Sequence, residues 1–254
     1  MIQLSDISTR SPKGTDEDKI RKKTQEIAKE IEDLQSIMYA QRKHSLLVVF
    51  QGMDSSGKDG ATREVFKYCS PAGVKTKGYG KPTDIEFAHD FLWRVHPHAP
   101  AKGEISVFIR SHYEDVLIQR VHKWIDEEKV TKRIDAINAW EELLAFDNNT
   151  TVLKFYMHLS KERQHEKLME RLETPRKQYK HRDGDWEQRK HWDRYMECYE
   201  DVINRASIPW IIAPVDQRWY RNYFIANEVL KALKSLDLEY PPLKTDNEKW
   251  KKYV

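Results

Sequence analysis

Between Val48 and Arg63 the chain reads VVFQGMDSSGKDGATR. Gly52, Gly57 and Lys58 stand at the first, sixth and seventh positions of a Gly-x-x-x-x-Gly-Lys turn, after an apolar run and before a helical pattern. Glycines in such a turn let backbone N–H groups point inward around phosphate oxygens, and the helix N-terminus adds partial positive charge. Lys58 is spaced to reach a phosphate held there. Two acids complicate the reading. Asp54 lies inside the turn, and Asp59 stands where a Ser or Thr would hold a divalent cation. A carboxylate in an anion cradle repels its ligand unless a metal or a polarised acceptor neutralises it. Asp54 is therefore expected to bind a metal or to orient phosphate oxygens. Asp59 reads as a first-turn acid suited to the helix dipole.

A second constellation is EISVFIRSHYEDVL, from Glu104 to Leu117. A strand ending at Ile109 would present Arg110 at its C-terminal edge, where open parallel sheets bind ligands. Arg110 can fork onto phosphate oxygens and stabilise charge on a group in transfer. Glu114 and Asp115 open the next helix and, with Gly52 and Gly57, are read as nucleotide-binding. A third region, TPRKQYKHRDGDWEQRKHWDR, crowds Lys180, Arg182 and Arg189 with other cations around Gly184. It reads as a mobile lid over about 174–194, which would exclude water and supply cations. Arg63 and Lys67 are spaced to share one face of the helix after the turn and extend a basic groove. His89, His96, His98 and His112 match no zinc spacing.

These residues need a scaffold that brings strand ends together. Short apolar strands alternate with helical patterns: SLLVVFQG, AGVKTKGYG, EISVFIRS, TTVLKFYMHLS and SIPWIIAPV are the strands. That order predicts an α/β fold, a parallel sheet covered on both faces. Ile20, Ile27, Ile31, Leu34 and Met38 predict one apolar face on a helix over 17–40. Thr83 with Glu86 forms a capping box opening a helix over 83–96. The domain reading is a mobile segment 1–16, a single domain 17–240 and a tail 241–254. With 44 basic against 41 acidic residues the formal charge is only +3, so no broad footprint for nucleic acid exists. Two distant cysteines make no disulfide framework. No stretch resembles a signal peptide or approaches the roughly 18–20 apolar residues of a membrane span, so a cytoplasmic protein is expected.

The chain resembles the polyphosphate kinase type 2 family, in its class III form, from about Lys43 to Leu233. The resemblance is carried by QGMDSSGKDG, AHDFLWRVHPHAPAKGEISVFIRSHYEDVL, INAWEELL, LKFYMHLSKERQ, WDRYMECYEDVI and PVDQRWYRN. It implies a three-layer P-loop kinase fold similar to thymidylate kinase, with a helical lid. It implies Mg2+-dependent transfer of the terminal phosphate of inorganic polyphosphate to AMP and ADP. Asp54, Lys58, Arg110, Glu114 and Lys180 fall on motif residues, with Asp54 as metal ligand. Polyphosphate would run past Arg63, Lys67, Lys180, Arg182 and Arg189. Two positions depart from the pattern: Ile109 replaces an Asp or Asn at the second metal position, and Arg194 replaces an acid in the lid. The resemblance, with Trp219, Tyr220 and Tyr223 read as exposed aromatics, implies a homo-oligomer, a dimer or tetramer. An ATP-dependent nucleoside monophosphate kinase and a catalytically weak binder of polyphosphate or nucleotide remain open beside this reading.

Overall fold

In a computed structural model, residues 1–245 are described. Helix α1 (Glu17–Gln41) starts where the Asp16 carboxylate accepts from Lys19 N at 3.0 Å. It ends at Arg42, whose left-handed backbone turns the chain into β1 (Ser45–Gln51). All seven residues of β1 are buried. Leu47 and Val49 face one core and Leu46, Val48 and Phe50 the other, as the two-residue strand period requires. Each such side chain contributes about 1.5–3 kcal/mol on burial. After β1 come α2 (Lys58–Val65), β2 (Val74–Gly78), the short α3 (Asp84–Phe87), β3 (Ile105–Ile109) and α4 (Glu114–Val121). Then follow α5 (Glu127–Asn148), β4 (Thr150–His158), α6 (Lys161–Glu173), α7 (Pro175–Gln178) and α8 (Asp183–Lys190). The last elements are α9 (Trp192–Arg205), β5 (Trp210–Pro214) and α10 (Arg218–Lys234).

The five strands are parallel in the order β2-β3-β1-β4-β5. Helices α4, α5 and α9 cover one face, and α1, α2 and α10 cover the other. This is the expected three-layer α/β fold. From β1 the chain moves outward to β2; from β4 it moves the opposite way to β5. Ligands bind at the carboxyl ends of the strands beside such a reversal. The phosphate-type turn leaves the end of β1.

Several local expectations differ from the structure. The helix expected over 83–96 stops at Phe87, although its Thr83–Glu86 capping box forms. Asp90 Oδ1 accepts from Leu92 N at 3.0 Å and Trp93 N at 3.1 Å, so its side chain starts a new turn in place of the helix. The helix after the turn, read as carrying both Arg63 and Lys67, ends at Val65, so Lys67 lies beyond it. Residues 1–16, read as mobile, are seated on the domain: Leu4 is buried, and Asn204 Oδ1 accepts from Ile2 N at 2.6 Å. Their polar composition hid contacts with residues some two hundred positions away. Trp219 is 9% exposed and packs edge-on against Tyr220, whereas Tyr220 and Tyr223 are half-buried, so none of the three aromatics read near α10 is fully exposed. The expected tail lies outside the described residues from 246 onward. Among the described residues no helix is long and apolar enough to cross a membrane.

Candidate phosphoryl-transfer site

The turn after β1 needs its glycines. Gly57 has φ +90°, and a Cβ there would lie 2.0 Å from Arg221 Nη1. Gly52 has φ +149° and would meet the Met157 Cβ and carbonyl oxygen at 3.0 Å. Lys58, 6% exposed, folds back into the turn. Its Nζ donates to Gly52 O at 2.7 Å, Met53 O at 3.1 Å and Ser56 Oγ at 3.4 Å. Burial lowers its pKa to about 8 despite the nearby Asp54 carboxylate. Ser55 holds a left-handed backbone at φ 70°, and its buried Oγ has no partner. A strained residue with an unanswered polar atom in a phosphate-type turn fits a bound anion.

β3 delivers Arg110 to this turn. Arg110 also has a left-handed backbone, φ 61°, while its N–H donates to Phe50 O at 2.9 Å. Its guanidinium pairs with Asp54, and its Nε lies 3.9 Å from Glu114 Oε1. Burial raises the Asp54 pKa, but Lys58 and Arg110 outweigh it and hold the carboxyl below its ordinary value. Glu114 goes the other way: burial raises it more than Arg110 and Gln51 lower it. Asp54, Lys58, Arg110 and Glu114 are thus brought together as expected.

Each residue between Arg110 and Asp115 is anchored separately. Ser111 Oγ donates to Gln51 Oε1 at 3.1 Å, and Gln51 Nε2 donates to Glu114 Oε1 at 2.6 Å. His112 and Tyr113 turn inward to Glu141, each at 3.1 Å from Oε1. Asp115 is where expectation fails. It faces away from the turn, with Arg94 Nη2 at 2.8 Å on Oδ2 and Gln119 Nε2 at 2.9 Å on Oδ1. Both carboxylate oxygens accept from protein donors, so Asp115 fastens the segment before β3 and stays out of the Asp54–Arg110–Glu114 cluster.

The lid cations divide. Lys180 and Arg182 are exposed, Lys180 lying over the Tyr179 ring at 5.5 Å. Arg189 instead donates to Lys161 O at 2.7 Å and Gln164 Oε1 at 2.8 Å, and Gln164 Nε2 donates to Asp54 O at 3.1 Å. It braces the lid to α6 and, through Gln164, to the phosphate turn. Arg194 is taken up by Glu197 at 2.9 Å and Glu127 at 3.5 Å. Lys67 donates to Gln25 of α1, while the Arg63 side chain is 75% exposed, so the two do not form a common face.

Two cations at the turn escaped sequence reading. Lys167 Nζ donates to Ser55 O at 3.2 Å, and burial with the neighbouring Arg221, Arg163 and Arg218 lowers its pKa to about 8. Arg221, 3% exposed, lies against Gly57, and among the described residues its side chain has only Asn222 Oδ1 as hydrogen-bond partner, at 2.6 and 3.0 Å. Burial brings its pKa down to about 10. Buried cations without a carboxylate partner call for an external anion. The only sequence signal was the spacing of Arg163 and Lys167, one turn apart on α6.

The family model described as Polyphosphate kinase 2 (PPK2) matches residues 14–241. The chain belongs to the polyphosphate kinase 2 family. It is 45% identical over 222 residues to a Meiothermus ruber protein named AMP/ADP-polyphosphate phosphotransferase, covering 86% of this chain and 83% of that one. It is 35% identical over 226 residues to a Rhodopseudomonas palustris ADP-polyphosphate phosphotransferase, covering 83% and 78%. The crystal structure of polyphosphate kinase 2 from Arthrobacter aurescens superposes with TM-score 0.95 at 32% identity, covering 99% of this chain and 92% of that one. In this polyphosphate kinase 2 chain the cationic turn includes Lys58, so loss of its proton should reduce activity. For the free enzyme, kcat/KM is expected to fall as pH rises through about 8, the Lys58 value. A profile flat from pH 7 to 10, measured with saturating metal, would remove Lys58 as the titrating cation.

Proposed function

We propose that this chain transfers the terminal phosphoryl group of inorganic polyphosphate to AMP and ADP, giving ADP and ATP. The observation that carries the proposal is the convergence of Lys58, Arg110, Lys167 and Arg221 on one glycine turn, with two acids among them. The names of the Meiothermus and Rhodopseudomonas relatives support this donor and these acceptors.

The chemistry needs no side-chain nucleophile. An oxygen of the acceptor's own phosphate attacks the terminal phosphorus, and the bridging P–O bond breaks toward a chain one unit shorter. The enzyme positions the reactants and neutralises charge, the main requirements of phosphoryl transfer. Lys58 leaves the turn's carbonyls for the phosphoryl oxygens. Arg110 exchanges Asp54 for the group in flight, and Lys167 and Arg221 hold the donor beside Ser55 and Gly57. Glu114, fixed by Gln51, borders the acceptor side.

The donor set fits Mg2+. Among the described residues no cluster of three or more His, Cys, Asp or Glu side chains could hold a metal ion. Mg2+ takes one or two carboxylates and completes its shell with substrate phosphates and water. Asp54, with Glu114 beside it, meets that need although Ile109 brings no oxygen. Bound there, Mg2+ would offset the charge of the phosphates in transfer. A cytoplasmic location and a dimeric or tetrameric state are carried by family resemblance; sedimentation of the purified protein tests the latter.

The deciding assay combines purified protein, long-chain polyphosphate and Mg2+ with either AMP or ADP, and separates nucleotides over time. ADP and ATP should form without added ATP, and chelating the metal should stop both. Transfer from ATP but not from polyphosphate would replace this reading with an ordinary nucleoside monophosphate kinase.

A further inference from the structure

A second cationic surface opens beyond the phosphate turn. It is a cleft of about 440 Å3 whose lining includes Arg10, Arg21, Arg163, Asp216, Arg218 and Trp219. Two helix starts border it. Ser160 Oγ caps α6 by accepting from Arg163 N at 3.1 Å, whereas α10 begins at Arg218 without a side-chain cap. The N-terminal stretch contributes Arg10 to the lining and is fastened on either side of it. Asp216 Oδ2 accepts from Thr9 Oγ1 at 2.8 Å, Asp216 N donates to Thr9 O at 3.0 Å, and Gln217 Oε1 accepts from Ser11 N at 2.8 Å. His158 Nε2 lies 3.0 Å from Ile7 O.

The charges in the cleft are unevenly compensated. Glu166 is taken by Arg163 at 2.5 Å, and Arg21 by Glu17 at 2.5 Å. Asp216 is occupied by Thr9 and by Ser160 N at 2.9 Å. Arg10 and Arg218 form no ion pair among the described residues, and Glu162 is the one acid of the lining left unpaired. The strap therefore holds an exposed guanidinium at the mouth of an anion-attracting cleft without using it internally. Arg163 stands one turn before Lys167 on α6, and Lys167 Nζ donates to Ser55 O of the phosphate turn at 3.2 Å. Cations thus run from the phosphate turn along α6 toward the cleft.

We infer that this cleft is a distal subsite for a linear polyphosphate chain, and that residues 1–16 form its wall and supply Arg10 to it. The inference rests on polyphosphate being the donor. Guanidinium groups fork onto successive phosphates, and Trp219, the aromatic of the lining, is only 9% exposed and offers little ring face for a base. A chain that extends past Lys167 would gain contacts here that a chain of three phosphates is expected to lack. Donor length should thus be sensed through binding and not through the chemical step.

The test compares long-chain polyphosphate with tripolyphosphate as donors to ADP, in wild-type protein, Arg10→Ala and Arg10→Glu. Arg10 is exposed on the strap, so melting temperatures should match wild type. In Arg10→Ala the KM for long chains should rise about five- to tenfold, the size of one ordinary hydrogen-bonded contact, as suits a guanidinium still open to solvent. Arg10→Glu should raise it further. In both, kcat should hold and the KM for tripolyphosphate should move less than about twofold. Equal shifts for the two donors, or none for either, would overturn the distal subsite. Wild-type protein that uses neither donor would sink the donor reading itself, which is a separate result. Thr9→Val, which loosens the strap from Asp216 but keeps Arg10, should shift the long-chain KM in the same direction; an unchanged KM there would deny the strap its role as a wall.

Discussion

Lys58→Ala should lower kcat for transfer to ADP by at least about a hundred- to a thousandfold and leave the fold intact. Removing one preorganised donor aimed at developing charge costs about 2.7–4 kcal/mol in the transition state. Lys58 is the buried cation whose ammonium already points into the glycine turn, bonded to Gly52 O at 2.7 Å and Met53 O at 3.1 Å. In the variant those two carbonyls lose a donor, but they lie at a ligand turn that water can enter, so the stability change should be small. The measurement is kcat at saturating donor and acceptor, with a thermal melt as control. A variant within tenfold of wild type, still folded, would show that phosphoryl charge is met by Arg110, Lys167 and Arg221 without it.

The largest stability effect is expected well below the turn, at Glu141. Its carboxylate and the Lys154 ammonium are both fully buried, 2.5 Å apart. Lys154 Nζ also donates to Tyr113 OH at 2.8 Å, and Tyr113 OH donates to Glu141 Oε1 at 3.1 Å. Burial depresses the His112 pKa, so its ring is neutral. With Nε2 donating to the carboxylate, Nδ1 is left as a buried acceptor without a partner. Glu141→Leu would strand an ammonium in the core, which costs about 3–5 kcal/mol. For a chain of this size that is a melting-point drop of roughly 6–20 °C. The double variant Glu141→Leu with Lys154→Met should recover most of it, because a buried pair replaced by apolar groups is often neutral. A single variant within about 1 kcal/mol of wild type, or a double variant no better than the single, would refute this account. Activity of the single variant should fall too, since His112 and Tyr113 fasten the segment that carries Arg110 and Glu114.

Much of the site was legible because it is local. The glycine turn, Asp54 and Lys58 follow from a few consecutive residues between a buried strand and a helix. Arg110 follows from its position one residue past β3. Glu114 and Asp115 were not separable this way. Adjacent helix residues point about 100° apart, so only one of them can face the turn. Packing of α4 against Arg94 and Arg133 gives that position to Glu114; Arg133 Nη1 donates to Asp115 O at 2.6 Å. Arg189 looked like a free lid cation in a basic run, yet its partners lie on α6, some twenty-five residues earlier. Arg221 stood in a quoted motif with no role, because its partner Gly57 is far away in sequence.

Strand and helix periodicity, the glycine spacing and the residues flanking each turn determined the layered sheet and the cradle at the end of β1. These are short-range properties, set by which backbone shapes a few neighbouring side chains permit. Which charges face the cradle, which are spent on internal pairs, and that Arg10 of the N-terminal stretch lines a second cleft were decided only by tertiary structure. Charged side chains are long, and an exposed cation and a buried brace look alike until the chain brings their partners together.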